Sequence, residues 1–321
     1  MTTYILRRFL AAVLTIWVVV TVVFAMLDII PGDPALLILG PDSAPRPEAL
    51  EAVRTRLGLD RPFHERYWSY VSGLVRLDLG NSLYDGRPVS EEIGRRLPRT
   101  LNLIAAAMTI AVVVGLPLGI GAALVRGRPL DLFLGNFIAL GLSTPVYVIG
   151  VALLAVFSVY LGWLPSAGYV APSDDLIGHL RSLAMPAATL AISIVPVVAR
   201  IARSSFLEIL SADFIRTARG KGVSNVGVLF HHALRPAVSP VVTIVGIQVG
   251  TLIGGSVVVE YIFVYPGISS MILQSMARRD YPMIQGALIV VAVGFVLINF
   301  VVDFVYTLLD PRISLSGGGD A

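Results

Sequence analysis

Long apolar runs constrain this chain more than any other feature of its sequence. Six of them are each about 20 residues long or longer, which is the length of helix that crosses the hydrocarbon core of a bilayer. Apolar residues make up 56% of the 321 residues and charged residues 14%, which excludes a soluble globular domain. We therefore predict an all-α integral membrane protein with six transmembrane helices, at 9–30, 100–125, 132–161, 183–203, 237–262 and 284–309.

The charges between the runs indicate which side of the membrane each polar segment occupies. Lys and Arg concentrate in cytoplasmic loops. With the N-terminus inside, the cytoplasmic segments carry eleven Lys and Arg against five Asp and Glu, and six spans leave both termini in the cytoplasm. The first run is about twice the length of a signal-peptide core and lacks a small-residue cleavage site, so we predict a retained anchor.

A large insert is predicted outside the membrane, between the first and second spans. Residues 48–57 and 62–77 have the pattern of short amphipathic helices. Aromatic residues of the second helix favour a position at the membrane surface, and a small cap packed on the spans is a compatible alternative; these residues are Tyr67, Trp68 and Tyr70. The predicted organisation is residues 1–30, N-terminus and first span; 31–99, extracytoplasmic insert; 100–309, five-span core; and 310–321, cytoplasmic tail.

The sequence contains little that catalysis would need. A P-loop requires Gly-Lys-Ser/Thr to hold phosphate and magnesium, and the only lysine, Lys221, is followed by Gly222. Cysteine is absent, the four histidines lack metal-ligand spacing, and no Gly-x-Ser-x-Gly elbow occurs. We therefore predict that the chain is not an enzyme and binds no cofactor or metal. Its net charge of +3 does not indicate a nucleic-acid surface.

The longest polar interruption of the C-terminal half separates the fourth and fifth spans, and we call residues 206–236 the polar loop. Its pattern predicts a first helix over 212–222, with Ser211 as N-cap, Asp213 in the first turn, and Gly220 and Gly222 at its end. Ser224 is a candidate N-cap of a second helix. Five residues of that helix share one predicted apolar face: Val226, Leu229, Phe230, Ala233 and Leu234. Periodicity alone is equally compatible with an ordinary loop that contains two interfacial helices.

Motifs in and around the polar loop resemble those of a known family, the permease subunits of binding-protein-dependent ATP-binding-cassette importers. That family carries Glu-Ala-Ala, then Gly, then Leu-Pro. Aligned on Gly222, this chain has Arg216-Thr217-Ala218, Leu234 and Pro236, which is similar to the dipeptide/oligopeptide branch and its B-type subunit. Further matching motifs are Ile30-Pro31-Gly32-Asp33-Pro34, Leu57-Gly58-Leu59-Asp60-Arg61-Pro62, Asp78-Leu79-Gly80, Arg96-Leu97-Pro98, Val259-Glu260, Tyr265-Pro266-Gly267 and Leu309-Asp310-Pro311-Arg312.

The resemblance implies the importer-permease fold in a prokaryotic inner membrane, and a pore formed with a sister permease. Two ATPase subunits would bind ATP and Mg, and an extracytoplasmic solute-binding protein would deliver a dipeptide or oligopeptide. Glutathione, nickel or an oligosaccharide is the alternative cargo. Contact with the ATPases would involve seven residues of the polar loop: Asp213, Arg216, Thr217, Ala218, Lys221, Gly222 and Leu234.

Two stripes of small residues predict close approach of neighbouring helices, because small side chains let backbones come together in a membrane. In each stripe the small residues recur every four positions. The stripe of the second span is Ala111, Gly115, Gly119 and Ala123, and that of the fifth span is Gly246, Gly250 and Gly254. For the fifth span, we predict a contact across the pore axis or with the sister permease.

Three polar residues of the fifth span are candidates for lining the transport path. Gln248 and Thr251 are three residues apart and share a face, and Glu260 lies near the outer end. Polar side chains in membrane helices more often bond to backbone or to a neighbouring helix, so a structural role is the alternative for each. Glu260 could equally hold the outer loop in place.

Asp303 is the deepest acidic residue of the sixth span. A lone carboxylate at that depth is costly, so it needs a partner or a proton. We predict an ion pair with Arg200, and Arg235 is the second choice. A hydrogen bond to Asn299 is an equally weighted alternative.

A stand-alone channel or secondary transporter is the main competing interpretation of the sequence. It would place ion-coupling charges near the middle of the membrane, and the spans contain almost none. A structural membrane anchor would have no need for the patterned polar loop, and an enzyme is the weakest alternative.

Overall fold

The computed structural model describes residues 2–29, 35–36 and 47–309 of the chain. Within these ranges the regular structure is helical, apart from an isolated antiparallel bridge between Asn81 and Pro88. Five of the helices are long and apolar enough to cross a bilayer. They are α1 (Thr2–Ile29), α4 (Val89–Leu124), α7 (Leu176–Ser211), α10 (Leu234–Gly255) and α13 (Tyr281–Leu309).

A bent pair of helices supplies the remaining predicted span. Helix α5 (Pro129–Ser143) and helix α6 (Val146–Leu153), which continues as a π-helical segment over Leu154–Tyr160, meet at an angle of 98°. Proline lacks the N–H that would continue the helix, and it forces the preceding residue into an extended conformation. Thr144 accordingly has φ −86° and ψ 119°. Pro145 therefore produces a sharp break, and the described residues have six candidate spans when the pair counts as one.

The shorter helices lie at the two ends of the bundle. At one end, which we call the cap end, are α2 (Pro47–Leu57), α3 (Phe63–Val75), α11 (Val257–Ile262) and α12 (Ile268–Arg278). At the other, which we call the loop end, are α8 (Asp213–Gly220) and α9 (Asn225–Gly227), which continues through a π-helical turn, Val228–Ala233, into α10. The bounds of α2 and α3 agree closely with the helices predicted at 48–57 and 62–77.

Helix α4 begins at Val89, well before the predicted start of the second span near residue 100. Its first turns are held at the cap end because Val89 and Ile93 are buried against apolar residues of α12 and α13. A Cβ at Gly286 of α13 would come within 2.6 Å of the Val89 side chain. The extra turns therefore belong to a packed region that the apolar run alone does not reveal.

Helix α7 packs along α4 at the centre of the bundle. A Cβ at Gly115 would approach the Val198 side chain to 2.9 Å, and one at Gly119 would overlap the carbonyl oxygen of Ala199. The whole stripe predicted on the second span is buried. These glycines therefore let the two longest helices approach at the distance of backbone contact.

The glycines of α10 face α13 of the same chain. A Cβ at Gly246 would overlap the Val302 side chain, and one at Gly250 would lie 3.1 Å from the Phe295 ring. Gly254 is exposed, and its nearest contact is Val291, at 3.9 Å from a Cβ built there. The predicted contact across the pore axis or with the sister permease is therefore wrong for Gly246 and Gly250, because α13 already occupies that face.

Candidate coupling site

Helix α8 begins directly after α7, with one residue, Ala212, between them. The prediction of Ser211 as the N-cap is wrong, since Ser211 is the last residue of α7. Its hydroxyl donates to the carbonyl of Glu208, at 2.7 Å, in its own helix. The chain therefore turns from a membrane helix into α8 without a flexible linker.

Helix α8 has one buried face and one exposed face. Ile215 and Ala218 are buried in an apolar cluster with Phe206 of α7 and Ala123 of α4. The side chains of Asp213 and Arg216 form an exposed ion pair, at 3.2 Å. The exposed face also includes Phe214, Thr217 and Arg219. Helix α8 is therefore fixed to the ends of two spans and presents a mainly polar surface.

Two of the seven predicted coupling residues face the bundle instead of the surface. Ala218 is buried, and Leu234 is partly buried against the same apolar cluster. The other five, at 213, 216, 217, 221 and 222, are exposed. Ala218 and Leu234 can therefore hold α8 in place, while the exposed five are available to a partner.

Gly222 ends α8 in a left-handed conformation, with φ +82°. The N–H of Gly222 donates to the carbonyl of Arg219, at 2.9 Å, and the N–H of Val223 donates to that of Ala218, at 3.2 Å. This pair of bonds is the Schellman cap, in which glycine avoids the steric cost of a positive φ. A Cβ at Gly222 would meet no heavy atom within 4 Å, so its backbone conformation, not its size, calls for glycine here.

The second half of the polar loop confirms one prediction and contradicts another. Ser224 caps α9, and its Oγ accepts a hydrogen bond from the N–H of Gly227, at 3.2 Å. The predicted apolar face is wrong for Val226 and Phe230, which are exposed. Its other three residues, Leu229, Ala233 and Leu234, do lie in or against the apolar cluster. In the π-helical turn the backbone bonds span five residues instead of four, so Val228 and Ala233 are the buried pair.

An ion pair that the sequence analysis did not identify links two spans at the loop end. The Arg203 guanidinium of α7 donates to Asp131 Oδ1 in the first turn of α5, at 2.7 Å. The other carboxylate oxygen accepts the Gly127 N–H, at 3.1 Å. Both side chains are largely shielded from solvent. The sequence shows complementary charges at the ends of these adjacent spans, but the ion pair was predicted for Asp303 instead, because Asp303 lies deeper in its span.

The predicted pair of Asp303 and Arg200 stays a prediction. Asp303 belongs to α13 by its backbone, but its side chain lies outside the described residues. Arg200 is exposed on α7. Asn299, the alternative partner, donates its side-chain amide to the carbonyl of Phe295, at 2.9 Å.

Glu260 is a buried acceptor at the cap end and does not line a path. Its side chain is 0% exposed. Its carboxylate accepts bonds from the hydroxyls of Thr100 (2.8 Å) and Ser256 (3.1 Å) and from the N–H of Ser270 (2.8 Å). The backbone of Gly267 lies against the same carboxylate, where a Cβ would overlap it.

Thr100 extends the attachment at Glu260. Its Oγ1 accepts the N–H of Ile268, at 2.8 Å, so α4 holds the first residue of α12. The alternative role proposed for Glu260, holding the outer loop, is therefore the one that the structure supports. The assignment to the transport path is wrong because no part of the side chain is accessible.

The remaining path candidates differ in exposure. Thr251 is exposed, and its hydroxyl donates to the carbonyl of Ile247, at 2.9 Å, which is the usual bond of a threonine in a helix. Gln248 is partly buried. Within the described residues, Thr251 therefore places a polar side chain on the exposed face of α10, and Gln248 lies at the edge of that face.

Comparison with known families agrees with the architecture of long helices joined by an anchored loop helix. Residues 115–315 match the family described as "Binding-protein-dependent transport system inner membrane component". Residues 1–104 match the N-terminal component of the same kind of system. The chain therefore belongs to the inner-membrane permease subunits of ABC importers, which are multi-pass proteins of the inner membrane.

Curated relatives narrow the comparison. The chain is 42% identical over 313 residues to the glutathione transport system permease protein GsiC of Salmonella typhimurium, covering 98% of this chain and 99% of the relative. It is 41% identical, with the same coverage, to the protein of that name from Escherichia coli K12. The relationship thus extends over the whole length, including the cap end and the polar loop.

Solved structures show the same fold at much lower sequence identity. An inward-facing MetNI methionine ABC transporter chain superposes with a TM-score of 0.58 at 19% identity, covering 68% of this chain and 96% of that one. An amino acid ABC transporter crystallised with histidines gives 0.51 at 18% identity, covering 70% and 94%. At such identities these similarities concern the fold alone.

Proposed function

We propose that this chain forms the pore of an ATP-driven importer together with a sister permease, and that α8 is its contact with the ATPase subunits. Family membership supports the importer class. The observation that carries the assignment of α8 is its anchoring: Ile215 and Ala218 are buried with residues of α4 and α7, while the opposite face is exposed. A helix held in this way passes a displacement to the spans instead of absorbing it.

The surface of the polar loop supports a protein partner. Phe214, Val226 and Phe230 are exposed large apolar side chains, and they accompany exposed Arg216, Lys221 and other polar residues. Exposed apolar groups with a polar rim are typical of interaction sites. ATP and Mg would be held by two ATPase subunits, since the chain's only lysine lies in no P-loop.

The orientation follows from the same assignment. If α8 meets ATPases, the loop end is cytoplasmic, which agrees with the basic residues of that end. Both termini are then cytoplasmic, and the cap end faces an extracytoplasmic solute-binding protein. A cysteine introduced in the polar loop should react with membrane-impermeant reagents only in inside-out vesicles.

A short peptide is the proposed cargo, and glutathione is the first compound to test. The support is the similarity over the whole chain to relatives named as glutathione transport permeases. Gln248 and Thr251, on the accessible side of α10, are the proposed path residues. Nickel and oligosaccharides are the less favoured solutes, because these relatives are named for glutathione.

The test is uptake into proteoliposomes that contain this chain with its sister permease, ATPases and binding protein. We expect labelled glutathione to accumulate only with ATP and the binding protein, and unlabelled dipeptides to compete if the cargo class is broader. Uptake that needs neither ATP nor a partner would refute the importer assignment. ATP-dependent uptake of dipeptides, but not of glutathione, would refute only the choice of cargo.

A further inference from the structure

A groove opens on the bundle where the bent pair of helices breaks. Its volume is about 410 Å³, and residues of α4, α5, α6 and α7 line it. Thr144 and Ile149, which lie on either side of Pro145, are both part of its wall. The groove therefore depends on the 98° break between α5 and α6. Val114 of α4 and Ala188 of α7 form part of the remaining wall.

The groove has no free polar side chain to offer a transported peptide. Thr144 is the only residue with a polar side chain among the described residues that line it. Its hydroxyl donates to the carbonyl of Leu140, at 2.7 Å, so this group is already occupied. A polar solute would lose its hydrogen bonds to water here without replacement. The groove therefore suits a hydrocarbon occupant and is separate from the proposed path residues of α10.

Charged residues along the spans place the groove within the hydrocarbon core of the bilayer. On α7, Arg181 and Arg200 have no charged residue between them. They are about 28 Å apart along the helix, which is close to the thickness of that core. The groove uses residues 188–196 of α7, between these two arginines. Its residues on α4 likewise lie near the middle of the uncharged stretch between Arg99 and Arg126.

The size of the groove favours an acyl chain of a lipid over a helix of another subunit. A helix about 10 Å across takes up roughly 120 Å³ for each residue, so the groove would hold only about one turn. A helix of the sister permease would therefore lie across the opening and leave the space beneath it empty. An acyl chain is much thinner and bends at its own torsions, so it can enter the groove and fill it.

The side of the groove toward the loop end leads to the turn between α4 and α5. Exposed apolar side chains follow α5 in that direction, at Phe137, Phe133 and Leu130. The turn itself carries Arg126 and Arg128, and both are exposed. Arg128 is nine residues from Phe137, which is about 13 Å along the helix axis. The two arginines therefore lie at the level of the headgroups of a lipid whose chain reaches the groove.

This turn keeps an excess of positive charge. The one acid beside it, Asp131, is already paired with Arg203, at 2.7 Å. The three arginines, at 126, 128 and 203, and this single aspartate leave two positive charges at the turn. Basic clusters at the ends of transmembrane helices attract anionic headgroups. An apolar groove that leads to such a cluster matches both parts of an anionic phospholipid.

We propose that the groove binds one acyl chain of an anionic phospholipid, and that the phosphate of this lipid lies against Arg126 and Arg128. The chain of the lipid contacts α5 and α6 on both sides of Pro145, so the lipid occupies the space beside the break. Basic residues concentrate at cytoplasmic helix ends in many membrane proteins. The test must therefore compare these two arginines with another arginine of the loop end.

The test uses the complete importer in lipid nanodiscs and a phosphatidylglycerol with a photoreactive diazirine near the end of one acyl chain. We expect crosslinks in residues 137–144 and 188–196, located by mass spectrometry. Unlabelled phosphatidylglycerol should compete better than phosphatidylcholine. Replacement of Arg126 and Arg128 by Gln should weaken that competition, by about fivefold for each arginine. Arg235→Gln, at the loop end of α10, should have no such effect.

Two neighbouring valines of α4 provide the matched control for the groove. Val114 lines it, whereas Val113 is not among the described residues that do. Both side chains are exposed, so neither substitution removes a buried contact. Val114→Trp should abolish the crosslinks, and Val113→Trp should leave them unchanged. Ile192→Trp fills the groove from α7 and is a second variant with the same expected result.

Three results would overturn the proposal. Equal loss of crosslinks in the Val113→Trp and Val114→Trp variants would mean that the probe reports the general lipid layer. Crosslinking that depends on neither the headgroup nor the two arginines would exclude recognition of an anionic phospholipid. A photoreactive amino acid at position 114 that crosslinks to the sister permease, and not to lipid, would assign the groove to that subunit.

Discussion

Substitution of Gly222 separates backbone conformation from side-chain size at the end of α8. A Cβ there meets no atom within 4 Å, so leucine and alanine differ little in steric cost. Both must adopt φ near +82°, which costs an L-residue about 1–2 kcal/mol. That is roughly a five- to thirtyfold shift against the capped conformation. Asparagine tolerates this region and should cost less.

We therefore expect Gly222→Leu and Gly222→Ala to lower the amount of cargo taken up per ATP hydrolysed, and Gly222→Asn to stay close to the parent chain. The assay measures uptake and ATP hydrolysis in parallel, in proteoliposomes that contain the complete importer. An inactive Gly222→Leu variant together with a fully active Gly222→Ala variant would refute the conformational reasoning and would indicate that side-chain size matters at the docking surface. Normal coupling in all three would refute the role of α8.

Three further expectations concern packing and polar contacts. The added methyl group of Gly246→Ala would overlap the α13 side chain opposite it, whereas that of Gly255→Ala would meet nothing within 4 Å. Gly246→Ala should therefore lower the thermal unfolding temperature in detergent, and Gly255→Ala should not. Equal unfolding temperatures for the two variants would contradict the packing. Arg203→Met leaves the Asp131 carboxylate with only the Gly127 N–H and should lower the thermal unfolding temperature. A charge swap of the two residues should recover part of that loss, and absence of any recovery would mean that the pair is incidental. Glu260→Ala removes the acceptor of three hydrogen bonds, so it should increase protease sensitivity at the cap end more than Glu260→Gln does. A Glu260→Ala variant as resistant to protease as the parent chain would count against the attachment.

Local pattern was sufficient for several features of this protein. Each span must satisfy its own backbone hydrogen bonds in lipid, so its length and composition are written in consecutive residues. The break at Pro145 follows from the missing N–H, and the cap at Ser224 follows from its hydroxyl. The motifs around Gly222 likewise indicated the importer family before any contact was known.

Other features could not be predicted, because helical periodicity shows which residues share a face of a helix but not which neighbouring helix that face contacts. Gly246 was correctly seen as a small residue on one face, but only the packed bundle shows that α13 lies there. The π-helical turn after α9 changed the register by one residue, and this change buried Val228 and exposed Phe230. Such a turn depends on how the segment packs, and the sequence carried no signal for it.

Membrane class, span number and family thus follow from the sequence, since they depend on residues adjacent along the chain. The use of Glu260 as a buried attachment and the pairing of Arg203 with Asp131 follow only from the tertiary structure. Each depends on residues from helices far apart in sequence: Glu260 meets Thr100, and Arg203 meets Asp131. Burial and partner choice are properties of the assembled bundle, because a side chain acquires its surroundings only when the other helices are in place.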